Sequence, residues 1–287
     1  MRGVPKGVLG FQSGHLKVSW YDFVIACDKT VRWAHPWFPK PSSSLDPTMS
    51  LQQAAAGFPI FQSWGIYGAI YQQNYMRHRE IVEAGRRVVA RFDRPIDALD
   101  LGCGDGQLAR ESLKQIPVAS YVGVDLSEGA LAELRKSPPR GNADPPAEVA
   151  CDRRDLRDAI RSQAPSSFDV VLASYSLHHL DEPADKLSVL VEITRVLKPG
   201  GVFLWTDVVR EGSATRAQYN TSLENEIRER WIEMPKGDVE QIVTHIHAAD
   251  FPETATWMLD AASRAGLTHP AQLFRDRFYG TWSFDRQ

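Results

Sequence analysis

IDALDLGCGDGQLA, Ile96 to Ala109, runs from a short apolar stretch into Gly102, Gly104 and Gly106 and on into a helix-forming segment. A buried strand that turns through such a loop into a helix opens a doubly wound α/β sheet. The glycines let the chain turn sharply and bring backbone N–H groups close to a ligand. Taken alone, the loop also reads as a plain strand-to-helix turn. Two features argue for a ligand. Asp100 and Asp105 flank the glycines, and both would repel a pyrophosphate at the helix start. Gln107 stands where the dinucleotide fingerprint has its third glycine. A ligand carrying an ammonium and a sulfonium suits this loop better than a dinucleotide.

Outward from the loop, apolar strands are legible at 96–101, 120–125, 148–151, 168–173 and 201–206. Helical stretches near 106–116, 127–136, 153–162 and 184–197 alternate with them, the pattern of a parallel sheet covered on both faces. The last of these helices is expected to end at Lys198-Pro199-Gly200-Gly201. Val122-Gly-Val-Asp125 ends a strand nineteen residues beyond Gly106, where a doubly wound fold puts an acid that accepts from two ribose hydroxyls. Asp125 also reads as an ordinary helix-entry residue, with Ser127 as N-cap and Glu128 in the first turn.

The flanks read differently. Residues 1–50, with the Pro/Ser stretch PWFPKPSSS, read as a disordered leader or as a short ordered arm, with Met49 as an alternative start. Residues 51–95 read as a helical cap in which Trp64, Tyr67, Tyr71 and Tyr75 share one face. That stripe is either core packing or an aromatic lid, with Tyr71 or Tyr75 near the cofactor and rings placed for cation–π contact. The core spans 96–208. Residues 209–287 read as helices at 214–233, 237–248 and 252–265, followed by a hairpin over 271–284 with Gly280 near its turn.

Residues 96–208 resemble the class I S-adenosylmethionine-dependent methyltransferases, in particular their small-molecule branch. LDLGCGDG, YVGVDLSEGAL, ACDRRDL, FDVVLASYSLHHL and EITRVLKPGGVFLWTD match the motifs of that superfamily in order. The resemblance implies a mostly parallel, seven-stranded Rossmann-like sheet with an N-terminal helical cap and a C-terminal helical insertion. It implies S-adenosyl-L-methionine as cofactor, the methionine part held by Asp100, Gly102, Cys103, Gly104 and Gly106. Asp125 and Leu126 would take the ribose and adenine. Asp152 and Arg153 would bracket the adenine edge, with Asp155 as substitute; a small apolar residue is more usual at 153. Ser174 would lie beside the reactive end; Tyr75, as a cofactor-side lid residue, comes from the aromatic stripe and not from the resemblance.

The fourth motif narrows the acceptor. Ser174-Tyr175-Ser176-Leu177 lacks the proline pair of enzymes that methylate exocyclic amino groups of bases, and the chain has no Pro-Cys pair for cytosine C5 chemistry. Ser174 stands where catechol-type enzymes place a metal-binding Asp, so no metal is expected. Methyl transfer needs alignment and, for some acceptors, a base. His179 and His245 are the candidates, His245 together with Asp250. His178 and His179 also read as a loop-packing pair. His245 and His247 do not share a helix face, which speaks against a two-histidine metal site. Cys103 is expected to contribute its N–H and not its thiol.

The 287 residues carry a formal charge of -3, with 43% hydrophobic and 24% charged residues. That composition argues against general affinity for nucleic acid or anionic membranes, and a small-molecule acceptor is what the resemblance implies. Three scattered cysteines suit a cytoplasmic setting. The expected activity is methyl transfer to O, N or C of a metabolite. A non-catalytic S-adenosylmethionine-binding sensor or partner subunit is the alternative, followed by an RNA or protein methyltransferase, with a dehydrogenase last. The sequence does not fix the oligomeric state.

Overall fold

The computed structural model describes residues 64–144 and 147–287; the expected leader at 1–50 and the first part of the expected cap lie outside the described residues. Helices α1 (Trp64–Gln72) and α2 (His78–Val89) come first. The alternating part follows as β1 (Ile96–Leu101), α3 (Gln107–Leu113), β2 (Val118–Val124), α4 (Glu128–Lys136) and β3 (Glu148–Asp152). It continues with α5 (Leu156–Ser162), β4 (Phe168–Ser174), a short 3-10 turn Leu177–His179, α6 (Pro183–Val196) and β5 (Leu197–Arg210). The last part holds α7 (Arg216–Arg230), α8 (Lys236–Ala249), β6 (Glu253–Thr254), α9 (Ala255–Arg264), β7 (Thr268–Arg275) and β8 (Tyr279–Asp285).

The sheet runs β3-β2-β1-β4-β5-β8-β7, with β6 beside β5. Strands β1 to β5 pair in parallel, and β5–β8 and β8–β7 are antiparallel. The chain leaves β1 in one direction through β2 and β3, then returns to its other side with β4. That reversal opens a crevice at the carboxyl ends of β1 and β4, where doubly wound folds bind ligands.

Each face of the sheet has its own core. Leu99 and Leu101 of β1 and Val171 and Ala173 of β4 meet α5, α6 and α9 on one side. Ile96, Ala98, Val170 and Leu172 meet α2, α3 and α4 on the other. This burial of alternate residues to both sides explains why the parallel strands read as continuous apolar runs. A third cluster joins α1, α7 and α8 through Ile66, Ile70, Leu223, Ile227, Ile242 and Ile246.

Three expectations need correction. Among the described residues the sheet has eight strands, because two-residue β6 pairs with Val209 and Arg210; a strand that short carries no periodic signal. Strand β5 covers fourteen residues instead of 201–206, since Leu197 already pairs with Phe168 and Val202 to Val208 face β8. Its length is set by its partners and not by its own pattern. The aromatic stripe is also broken: α1 stops at Gln72, and Asn74 and Arg77 take positive φ values of 58° and 61°. Asn74 supplies the break, its amide donating to Glu80 and its oxygen accepting from the Arg79 N–H, both at 2.9 Å. Tyr75 therefore sits on a turn.

The hairpin forms, with its turn at 276–278. Asp276 Oδ1 accepts from the N–H groups of Phe278 and Tyr279 and shapes that turn. Gly280 is already the second residue of β8, where a Cβ would lie 2.2 Å from the Trp282 ring.

Candidate active site

The parallel ladder brings the ends of β1, β2, β3 and β4 to one edge, with Leu101 beside Val124 and Ala173, and Val124 beside Asp152. Asp100, the glycine loop, Asp125, Asp152 and Ser174 thus share that edge. The loop uses its N–H groups differently from expectation. Gly102 and Cys103 both donate to Val124 O, at 2.8 and 2.9 Å, and Gly104 donates to Asp125 Oδ2 at 2.9 Å. Those donors tie the first loop to the second, so it is the carboxylates, and not a nest of amides, that set the character of the crevice. Gly106 N–H bonds Cys103 O, and Gly106 caps α3 in the left-handed region at φ 71°. A Cβ on Gly102 would lie 2.4 Å from Ser176 Cβ, so only glycine lets the loop pass the segment after β4.

Asp100 is 4% exposed, and the Tyr121 hydroxyl donates to its Oδ2 at 2.7 Å. Burial pushes its carboxyl up to about 7; Tyr121 works against that shift, while the charges of Asp125 and Asp105 add to it. Asp125 is held ready, with Ser127 N–H on Oδ1 at 2.8 Å and Gly104 N–H on Oδ2. Each oxygen keeps a further lone pair. Burial also holds the Asp125 carboxyl above the usual carboxylate pKa, opposed by the backbone N–H groups of Ser127, Gly104 and Leu126. Among the described residues, no positive side chain is one of the groups that shift Asp100 or Asp125. Buried Cys103 has its thiol pushed up, by burial first and then by Asp100 and Asp125, which suits an inert thiol.

Tyr67 and Tyr71 are the stripe residues that meet this acidic loop. Burial raises the Tyr67 phenol, and Asp105, Tyr71, Asp100 and Asp125 add to the rise. Its hydroxyl lies 3.3 Å from His78 Nε2, and the Tyr71 and His78 rings are 4.9 Å apart. His78 is fully buried, which pushes it down to about 4 and keeps it neutral. Tyr75 turns elsewhere: it stacks on Trp231 at 4.8 Å and 6°, and its hydroxyl accepts from Glu233 N–H.

At the β3 corner, Leu126 is 38% exposed, and Arg153 donates to its carbonyl at 3.3 Å. Asp152 is gripped by Arg154, which the sequence reading did not single out. Asp155 caps α5 and binds Arg157, which commits it to the helix. Ser174 closes β4 opposite Thr206, half-buried.

Beyond Ser174 a histidine cluster gathers at Asp250. His178 Nδ1 bonds Asp207 Oδ1, and Trp205 Nε1 donates to Asp207 Oδ2 at 3.0 Å. His178 Nε2, His179 Nδ1 and His245 Nε2 stand 3.5, 3.6 and 3.4 Å from Asp250 Oδ1. Burial opposes a charge on His178, but Asp207 and Asp250 outweigh it and hold the imidazolium. Burial and that charge push His179 down to about 3, and burial lowers His245 as well. His247 faces outward onto Glu224 at 2.9 Å. Asp207 was missed although it carries a readable signal: like Asp125, it is an acid that follows an apolar parallel stretch. Tyr121, His78 and Trp231 carried none.

Residues 99–203 match a family described as a methyltransferase domain. A malonyl-[acyl-carrier protein] O-methyltransferase of Halalkalibacterium halodurans is 30% identical over 142 residues, 48% of this chain and 49% of that protein. A ubiquinone biosynthesis O-methyltransferase of Pseudomonas aeruginosa is 37% identical over 110 residues, 38% and 43% of the two chains. The chain spans about half the length of the curated relatives it matches. Among solved structures, the S-adenosylmethionine-dependent methyltransferase SibL in its apo form aligns with a TM-score of 0.50 at 18% identity. That alignment covers 76% of this chain and 56% of the other. A Haloferax volcanii methyltransferase solved with the Trm112 activator gives 0.52 at 18%, covering 78% and 96%. At these identities the structural matches establish the fold.

Proposed function

We propose that residues 99–203, which match a methyltransferase-domain family, form a class I S-adenosylmethionine-dependent methyltransferase domain, and that the protein methylates a small-molecule metabolite, with oxygen as the favoured acceptor atom. The observation that carries the reading is the convergence of Asp100, Asp105 and Asp125 on the glycine loop, with no compensating cation on Asp100 or Asp125 among the described residues. Such a site fits a ligand with an ammonium, a sulfonium and two ribose hydroxyls, and repels a pyrophosphate. The two O-methyltransferase relatives support oxygen.

When bound, S-adenosylmethionine supplies a methyl group already activated on sulfur. The chain's own tasks are then to hold, align and exclude water. Asp100 meets the ammonium, beside Gly102, Cys103, Gly104 and Gly106. Asp125, fixed by Gly104 and Ser127, accepts from the ribose hydroxyls. Leu126, Asp152 and Arg153 border the base, and Ser174 borders the reactive end. His179 and His245 serve an acceptor that must lose a proton. Residues 64–95 and 209–287 are the segments that would shape the acceptor cavity around the core at 96–208.

Calorimetric titration with S-adenosylhomocysteine, with NAD as control, tests the premise of this reading. Micromolar binding of the former alone is expected, followed by its release as product when labelled methyl donor is supplied with hydroxylated metabolites. A folded protein that binds NAD, or binds neither ligand, overturns the proposal.

A further inference from the structure

His178 and His179 follow β4, and Asp250 follows α8, so the cluster joins two segments that only the folded chain brings together. We propose that His178, His179 and Asp250 form a binding site for a divalent transition-metal ion of the zinc class, fastening the helical insertion to the edge of the sheet.

The geometry comes first. The ligand atoms of these three residues all lie within 4.8 Å of one another. Asp250 Oδ1 is 3.5 Å from His178 Nε2 and 3.6 Å from His179 Nδ1. Those separations are long for hydrogen bonds. They match the edge of a tetrahedron whose metal–ligand bonds are about 2.1 Å, which is about 3.4 Å. Asp250 supplies the second observation: its Oδ1 is buried and accepts no hydrogen bond among the described residues. In the ion-free protein the His178 imidazolium at 3.5 Å answers the charge of that carboxylate, and a bound metal ion would take over that part at shorter range.

The surroundings are those of a metal ligand set. Two imidazoles and a carboxylate suit zinc, iron or nickel, whereas magnesium and calcium prefer oxygen alone. His178 offers Nε2 because its Nδ1 is engaged by Asp207, which Trp205 Nε1 and Val208 N–H hold at 3.0 Å each. A carboxylate behind a ligating histidine is the usual outer support of such sites. On binding, the ion replaces the proton on His178 Nε2, and that proton leaves to solvent. His179 gives up its 3.2 Å hydrogen bond to Ala249 O, and its ring proton moves from Nδ1 to Nε2 so that Nδ1 can bind the ion. The His179 side chain is 28% exposed, against 5% for His178 and 6% for Asp250, so the ion enters on its side. The fourth position opens there, to water or to an acceptor oxygen. With His179 ligating the ion, proton removal from an acceptor falls to His245, whose Nε2 lies 3.4 Å from Asp250 Oδ1.

This site is distinct from the position where catechol-type enzymes carry a metal-binding Asp and this chain carries Ser174, and it requires no turnover to be detected. Protein stripped with a chelator is titrated with zinc against a competing chromophoric chelator, and bound metal is counted by mass spectrometry. One ion per chain with a submicromolar dissociation constant is expected, together with a zinc-dependent rise in melting temperature. His179→Ala, at a partly exposed position, and Asp250→Asn should each weaken binding by at least about 100-fold. His247→Ala, on the outer face of α8, should leave it unchanged. Less than about one fifth of an ion per chain overturns the proposal, as does tight binding that survives His179→Ala in a folded variant. The same samples titrated with S-adenosylhomocysteine show separately whether the cofactor reading holds.

Discussion

Asp100 ties the proposed cofactor site to pH. Its carboxyl is 4% exposed and stands at about 7, raised by burial against the Tyr121 hydroxyl and further by Asp125 and Asp105. A ligand ammonium gains an ionic partner only once that proton has left. For one group titrating at about 7, apparent affinity is lowered by 1 + 10^(7−pH), about elevenfold at pH 6 and about 1.1-fold at pH 8. S-adenosylhomocysteine, whose own ammonium stays charged over this range, should therefore bind about tenfold more tightly at pH 8 than at pH 6. Calorimetry in buffers of different ionisation enthalpy should show release of about half a proton at pH 7. Asp100→Asn should flatten the profile and cost about 1.5–3 kcal/mol at pH 8, the usual value of a hydrogen bond to a charged group. Stability provides the reverse sign. A carboxyl raised from 3.8 to about 7 binds more protons folded than unfolded across that window, so ligand-free stability falls as pH rises through it. The fall is at most about 4 kcal/mol, and Asp100→Asn should remove it. A flat wild-type binding profile, or a slope that persists in Asp100→Asn, would refute the reasoning.

Asp125→Ala removes the acceptor proposed for two ribose hydroxyls and leaves the Gly104 and Ser127 N–H groups without their partner. S-adenosylhomocysteine affinity should drop by about 10- to 1,000-fold, and calorimetry that finds less than about threefold would count against that role. Tyr75→Phe should leave that affinity within about twofold, because the Tyr75 hydroxyl bonds Glu233 N–H and its ring stacks on Trp231. A large loss in the same titration would return Tyr75 to the cofactor. Gly106→Ala puts a Cβ 2.4 Å from Leu134 Cδ1 at a residue with φ 71°, and should destabilise the fold by about 2–4 kcal/mol in denaturant unfolding. An unchanged midpoint would show that the loop has another conformation open to it.

The doubly wound core, its element order and the edge that carries Asp100, Asp125, Asp152 and Ser174 were legible from residue order alone. Parallel strands are buried on both faces and written as apolar runs, and the loops after them must carry the chemistry; both are local in sequence. What the chain hides are properties of pairs distant in sequence. The length of β5 depends on β8 and β4, and the two-residue β6 exists only because β5 lies beside it. Tyr75 kept the helical spacing, yet the turn at Asn74 and the Trp231 ring carried it away from Tyr67 and Tyr71. The glycine loop spends its N–H groups on Val124 and Asp125, an exchange between neighbouring strands that no motif states. Asp207 and Asp250 reach His178 from β5 and from the end of α8. Sequence therefore determined which elements form and which acids gather at the carboxyl edge of the parallel strands, because periodicity and loop chemistry act over a few residues. Tertiary structure alone decided which side chains meet, because burial and charge pairing act across space between segments that the chain keeps far apart.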